Sequence, residues 1–451
     1  DGNSYGSFYY TPPTGYLALV DDNIPQEGLE SPDLVIIKGR SAAKGVNLFD
    51  TVRGPNIGLF PNSNNIEFED TDRLLAFQNN GFTLGGDVNV NESSTTFVSW
   101  NWKAGGISPT QTYTVKVVAD SGNKYRFDDF GTSAVTLELQ EGGTYTFDQS
   151  DSSNSGHPLR FSTTSNGTHG GGSEYTTGVT TTGTPGTTGA KTVITVAHGA
   201  PILYYYCTQH SGMGGQANTN TTHGSSNFDG SVQSVVSAAP DAGFSIVGIT
   251  KGSGSESFGH GLGKKPDVII LKARNRVTSW WVWHKGLSNE QQSFIRFDST
   301  DAAGANTSAW DNQAPTDEVF YQREYILQNT NTGIAYCFNS VPGFSKFGSF
   351  AGNSAADGTF VYLGFRPAYI WLKRHDANGV DWSIFDNKRL GYNVDNNNLR
   401  AFAGTVATEQ TDDDIDFLSN GFKCRRNFAN NQGNVLYFAW AEQPFKYANA
   451  R

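Results

Sequence analysis

The sequence predicts an all-β protein made of several sandwiches, and three observations predict it. Apolar residues come in short runs rich in β-branched and aromatic types, the runs are bounded by Gly, Asn, Asp or Pro, and one pattern of runs occurs three times. Short β-branched and aromatic parcels between turn-formers are how strands and their connections read. With 451 residues, the chain exceeds what one hydrophobic core serves, so three or four domains are expected.

The repeat is visible when the chain is laid on itself. Pro32-Asp-Leu-Val-Ile-Ile-Lys38, Pro266-Asp-Val-Ile-Ile-Leu-Lys272 and Pro367-Ala-Tyr-Ile-Trp-Leu-Lys373 open the three units. Asp50, His284 and Asp386 end a second run 18, 18 and 19 residues past the proline. A third run begins at Phe97, Gly333 and Val435, which is 65, 67 and 68 residues past it. Three landmarks in one register make a duplication. A proline can head a strand because its first residue lies outside the hydrogen-bond ladder. Each unit is read as a β-sandwich. Units two and three follow one another directly, so residues 240–451 are expected to form a joined pair, with two independent sandwiches on a short linker as the alternative.

These units resemble a domain of unknown function that recurs in tandem in large structural proteins of marine tailed phages, especially those infecting cyanobacteria. Gly259-His-Gly-Leu-Gly-Lys-Lys-Pro-Asp267, Ser279-Trp-Trp-Val-Trp-His-Lys-Gly286 and Asn420-Gly-Phe-Lys423 carry the resemblance. The opening Ser7–Leu19 looks like the last strand of an upstream lectin-like sandwich in the same class of virion protein. The expected division is therefore 1–30 as that strand and a linker, 31–110 as unit one, 111–239 as a separate central domain, and 240–451 as units two and three. The resemblance implies a virion-surface or extracellular location, other virion proteins as partners, and a homo-oligomer, by analogy a trimer.

The pattern changes in the central domain. Seven short runs, among them Tyr113–Val118, Val135–Gln140 and Ile202–Tyr206, suggest a Greek-key sandwich. The Thr- and Gly-rich stretch Thr163–Gly189 reads as a long loop that cannot form a core. On this scaffold stand His157, Cys207, His210 and Met213, the last being the chain's one methionine. A thiolate with two imidazoles and a weak axial thioether is the ligand set of a blue-copper site. Gly212, Gly214 and Gly215 give the loop after Cys207 the freedom to turn back. This central domain resembles the cupredoxins, and its C-x2-H-x2-M spacing is similar to the short ligand loops of amicyanins. The resemblance implies copper as cofactor. Two other readings stay open. In one, the same turn holds no metal, with Cys207 buried as a small apolar residue. In the other it holds zinc, which takes His and thiolate but ignores thioether.

Other function classes fit less well. The net charge is −11 and no Lys/Arg run stands out, which argues against nucleic acid as a partner. No run approaches the roughly 18 apolar residues that span a bilayer, so no membrane insertion is expected. Cys207, Cys337 and Cys424 are an odd, widely spaced set and do not make a disulfide framework. No nucleophile elbow, phosphate-binding loop or His-Glu-x-x-His helix is present, so no catalytic residues are expected. Acidic clusters at Glu67–Asp72 and Thr411–Asp416 read as solvated loops, with Ca²⁺ binding through their hard oxygens as the alternative. Trp280, Trp281 and Trp283 share one run, in which neighbours alternate faces. Subunit packing is their favoured use and sugar stacking the other, which makes them candidate ligand residues for a host-surface glycan. The resulting expectation is a non-enzymatic structural protein of a phage virion, an appendage or capsid decoration. The alternative is an extracellular blue-copper electron-transfer protein.

Overall fold

In the computed structural model, the described residues are 5–10, 17–20, 32–79, 81–389, 393, 397–400, 402 and 407–441. Their regular secondary structure is almost wholly strand, with a few 3-10 turns. Among them no helix is long and apolar enough to cross a membrane.

Each unit has the same large sheet. Its lead strand (Leu34–Gly39, Val268–Ala273 or Pro367–Arg374) lies between a closing strand (Phe97–Trp102, Thr332–Phe338 or Gln432–Ala441) and a hairpin strand (Val46–Asp50, Trp281–His284 or Ser383–Asp386). An outer strand (Tyr5–Tyr10, Phe244–Thr250 or Ser345–Asn353) flanks the closing strand. A smaller sheet covers each large one: Leu17–Val20 with Leu74–Gln78 and Gly81–Leu84, Glu256–Gly259 with Val319–Gln322, and Phe360–Tyr362 with Ile415–Leu418 and Gly421–Cys424.

The lead strands explain why the runs are continuously apolar. Successive side chains point to opposite faces, and both faces are buried. Val35 and Ile37 turn toward the small sheet of their own unit, as Ile269 and Leu271 and then Ile370 and Leu372 do in theirs. Leu34 and Ile36, Val268 and Ile270, and Tyr369 and Trp371 turn the other way, into one core shared by all three units. At the ends of the closing strands Trp102, Phe338 and Trp440 meet, with ring centroids 5.4–6.4 Å apart in all three pairings.

Strand contacts, two of them polar, close the same ring in one direction. The Tyr336 hydroxyl of unit two donates to Asp50 of unit one at 2.6 Å, and the Trp100 indole of unit one donates to Asp386 of unit three at 3.1 Å. His284 of unit two packs on Phe438 of unit three, centroids 4.8 Å apart. Asp50 and Asp386 are fully buried, and each is neutralised by an arginine three residues on, Arg53 and Arg389, at 2.6 Å. His284 has no such partner, and burial pushes its pKa down to about 3. A second ring of backbone bonds runs from Glu409 to Arg40, from Glu67 to Arg274 and from Ala303 to His375. Arg40 and Arg274 also pair with those two glutamates.

Four expectations change. The opening strand Tyr5–Tyr10 pairs with Phe97–Trp102, and Leu17–Val20 with Gly81–Leu84, so they complete unit one instead of ending an upstream domain. The end of the expected linker, residues 21–30, lies outside the described residues. Ser225–Asn227 and Ser234–Ala239 pair into the sheet of unit two, which therefore begins well before residue 240. The joined pair is a joined triplet. Acidic residues at Glu67–Asp72 and Asp412–Asp416 meet arginines: Glu67 with Arg274, Asp70 with Arg73, Asp412 and Asp414 with Arg426, and Asp416 with Arg425.

The central domain is two five-stranded sheets. One is ordered Asn123–Phe127, Thr110–Ala119, Thr144–Asp148, Lys191–Thr195, Val179–Thr182. The other is ordered Leu137–Gln140, Gln216–Asn220, Leu203–Cys207, Leu159–Ser162, Glu174–Tyr175. Both faces feed one core, where Phe127 meets Tyr205 and Phe147 meets Phe161 across the layers. The domain is tied to unit one where His223 Nδ1 meets the buried Asp33 at 2.6 Å, and to unit two where Tyr113 donates to the Ser226 carbonyl.

The buried strand-end lysines Lys38, Lys272 and Lys373 give the ring a pH dependence. Their ammonium groups donate to backbone carbonyls of Lys44, Thr278 and Val380, and burial lowers each pKa to about 8. The unfolded chain, with lysines near 10.5, holds more protons between those values, so stability rises with pH across that window and is lost as pH falls through 8. Urea midpoints should climb from about pH 8 toward about 9.5, and Lys272→Met should remove part of that slope. Tyr336→Phe should lower stability by about 1–3 kcal/mol in the same titration, because a buried carboxylate loses a donor.

Candidate metal centre

The site forms where a strand end, a turn and a loop converge. Cys207 ends Leu203–Cys207, whose residues alternate into the core, and is fully buried. His157 follows a 3-10 turn, Ser152–Asn154, capped by Asp151. Its strand then runs beside that of Cys207, with Leu159 directly opposite the cysteine. His210 lies in the loop after Cys207 with its ring exposed, and Met213 returns the loop to the core at 1% exposure.

The three donor atoms face one another. Cys207 Sγ is 3.8 Å from Nδ1 of His157 and 3.7 Å from Nδ1 of His210. The two imidazole centroids are 4.5 Å apart, and donor atoms of all three residues lie within 4.8 Å of one another. A first-row ion about 2.3 Å from sulfur and about 2.05 Å from nitrogen, with about 120° between the bonds, separates those donors by about 3.8 Å. The residues therefore fit a trigonal ion held by one thiolate and two imidazoles. His157 is held below the usual imidazole range by burial and then by His210, so it is neutral and able to ligate near neutral pH.

Backbone constraints shape the loop. Gly212 has φ +74°, the left-handed turn that carries the chain from His210 to Met213. Gly214 and Gly215 serve by close approach: a Cβ on Gly214 would sit 1.7 Å from the Tyr205 carbonyl oxygen, and one on Gly215 2.7 Å from that of Ala134. The Tyr125 amide donates to the Met213 carbonyl at 3.0 Å, and the Tyr125 hydroxyl to the His157 carbonyl at 2.9 Å, so one residue braces both sides. Burial first, and then the nearby Cys207, raises the Tyr125 phenol above its ordinary value, keeping it a donor. Nothing in the sequence marked Tyr125 for this role.

The structure thus brings together His157, Cys207 and His210, with Met213 buried in the same core as Cys207. It does not offer Trp280, Trp281 and Trp283 to a ligand. They are 0%, 8% and 0% exposed, and their indole nitrogens donate to Phe60 and Ser63 carbonyls, the Thr278 hydroxyl and the Glu290 carbonyl. A glycan has no indole face to stack on there, because Trp280 seals units one and two while the other two fill the core of unit two. Outside the cluster, His223 pairs with Asp33. His169 is exposed but donates to the Cys207 carbonyl.

The class this defines is an all-β chain of several sandwiches, one of which carries a compact cluster of one cysteine and two histidines. The chain belongs to the family described as Domain of unknown function (DUF7483), whose model matches residues 21–128 and 217–444. All four candidate ligands fall in the unmatched stretch between. No curated protein and no solved structure matches the chain.

Gly214→Ala is expected to cost about 1–3 kcal/mol, since the Cβ must displace the Tyr205 backbone. Denaturant unfolding of the full chain measures it; an unchanged midpoint would show that the close approach relaxes freely.

Proposed function

We propose that the chain is a non-enzymatic structural protein of a tailed-phage virion, an appendage or capsid decoration, whose cupredoxin-like central domain binds one copper ion. The copper part is carried by one observation: the Cys207 thiol lies 3.7 and 3.8 Å from the Nδ1 atoms of His210 and His157. Thiolate and imidazole together suit copper, and the buried Met213 thioether on the same loop favours copper over zinc. When bound, copper supplies a one-electron couple and a cross-link between a strand end and a loop, and binding free energy becomes folding free energy. The structural part rests on the resemblance of the tandem units to phage structural domains and on how the units use their chemistry. Trp100, Trp102, Trp280, Trp371, Trp382 and Trp440 lie in the core that the units share, and the buried Asp50 and Asp386 each accept a hydrogen bond from a neighbouring unit. Three sandwiches meet around one core within a single chain, and a homo-trimer of such chains rests on the resemblance alone.

Electron transfer is the second reading, favoured by the solvent-exposed ring of His210, which gives an outside donor or acceptor an edge to approach.

Oxidised protein loaded with Cu(II) should bind one ion per chain and develop an intense visible thiolate-to-copper absorption band, and Cys207→Ser should abolish the band. A colourless wild-type chain that binds no copper at micromolar concentration would remove the copper reading. Fast, reversible cycling with a small redox partner would favour electron transfer over a purely structural ion.

A further inference from the structure

The Thr- and Gly-rich stretch that reads as a structureless loop packs on the ligand loop. It contains the 3-10 turn Gly167–Gly170 and the strands Glu174–Tyr175 and Val179–Thr182. Gly167 lies flat on the Tyr206 ring, where a Cβ would come within 2.5 Å of ring carbons. Its base is closed by the Ser162 hydroxyl donating to the Ser173 carbonyl at 2.7 Å.

Two side chains then reach the metal loop. Asn166 donates through Nδ2 to the Ser211 hydroxyl and accepts the Gly212 amide through Oδ1, both at 2.8 Å. His169 donates through Nε2 to the Cys207 carbonyl at 3.1 Å. The tie points, residues 207 and 211–212, stand on either side of His210, whose own side chain is exposed and so depends on its backbone for position. Asn166 is built for the role, because it sits at φ +60°, a left-handed conformation that asparagine tolerates and most residues avoid. Lys124 adds a third tie by donating to the Gly212 carbonyl.

We propose that residues 162–172 form a clasp in which Asn166 and His169 act as positioning residues, holding Cys207 and His210 at ligating separation. The proposal rests on the copper reading for its purpose but not for its geometry. With the clasp open, the loop moves about Gly212, His210 leaves the thiol, and Cys207 opens to solvent. Hydrogen bonds behind a metal-ligand shell act in this way, fixing ligand orientation before the ion arrives.

The test uses the full chain in three variants. Asn166→Gly removes the side chain while suiting the positive φ. His169→Leu removes the donor, and His169→Gln restores one. In metal-free protein, alkylation of Cys207 is followed by peptide mass, with the buried Cys337 and Cys424 as internal controls. Asn166→Gly and His169→Leu should each speed Cys207 labelling about tenfold, and His169→Gln should stay near wild type. In copper-loaded protein the same two variants should release the ion to a chelator about tenfold faster and shift the absorption band. Labelling rates within about twofold of wild type in both variants would overturn the clasp. If wild type takes up no copper, the copper reading falls and the labelling rates still decide whether the clasp exists.

Discussion

Three large sheets in this chain are apolar on both faces, and the second face of each has nowhere to go except against the other two. Everything in the architecture of the repeats depends on that constraint. A sheet with one wet face would alternate polar and apolar residues, and a single sandwich would be complete. Here Leu34, Ile36, Trp100 and Trp102 of one unit are as deeply buried as Val35 and Ile37, yet they face away from their own small sheet. The solution is a ring in which each unit covers the next. Trp102, Phe338 and Trp440 make that ring specific, because three large rings pack at one point in few ways.

Buried polar groups then select which unit meets which. Asp50 and Asp386 would be strongly destabilising as lone charges in such a core, and each carries its own arginine as counter-ion. Each also accepts from the aromatic strand of the neighbouring unit, Tyr336 in one case and Trp100 in the other. Unit two breaks the pattern, with His284 in the aspartate position and Leu287 where the arginine would be. An uncharged imidazole needs no counter-ion, and the facing ring is Phe438, which has no donor to give. The substitutions therefore match across the interface. At each junction the strand-end residue and the ring it meets are chemically matched.

Against this rigid frame the central domain supplies the unusual chemistry. Its candidate ligands come from the end of one strand, the loop beyond it and the turn before a neighbouring strand, parts of a sandwich free to vary without disturbing the core. Yet the loop is far from free. Gly214 lies against the Tyr205 backbone, Tyr125 braces Met213 and His157 from one side, and Asn166 and His169 hold the loop from the other. The family match stops short of the stretch that holds the ligands, and the ring of sandwiches stands on its own core without it. The domain is attached to the ring by Asp33–His223 and by the Ser226 carbonyl.

The sequence by itself determined the all-β class, the three repeats and the group of four candidate ligands. Each depends on local signals: β-branched runs between turn-formers, a landmark recurring at constant offset, and soft donors at a spacing that one tight loop can close. What tertiary structure decided is what each surface meets. Nothing in Pro32–Lys38 says that its alternate residues serve two different cores, and nothing in Trp280-Trp-Val-Trp283 says that its indoles are walled in by partners such as Phe60 and Ser63, more than 200 residues earlier. The opening strand could not be assigned to unit one because its partner, Phe97–Trp102, lies some ninety residues on. Asn166 and His169 were illegible for the same reason: a loop with no periodicity acquires its structure from the surface it covers, and that surface exists only once the sandwich has folded.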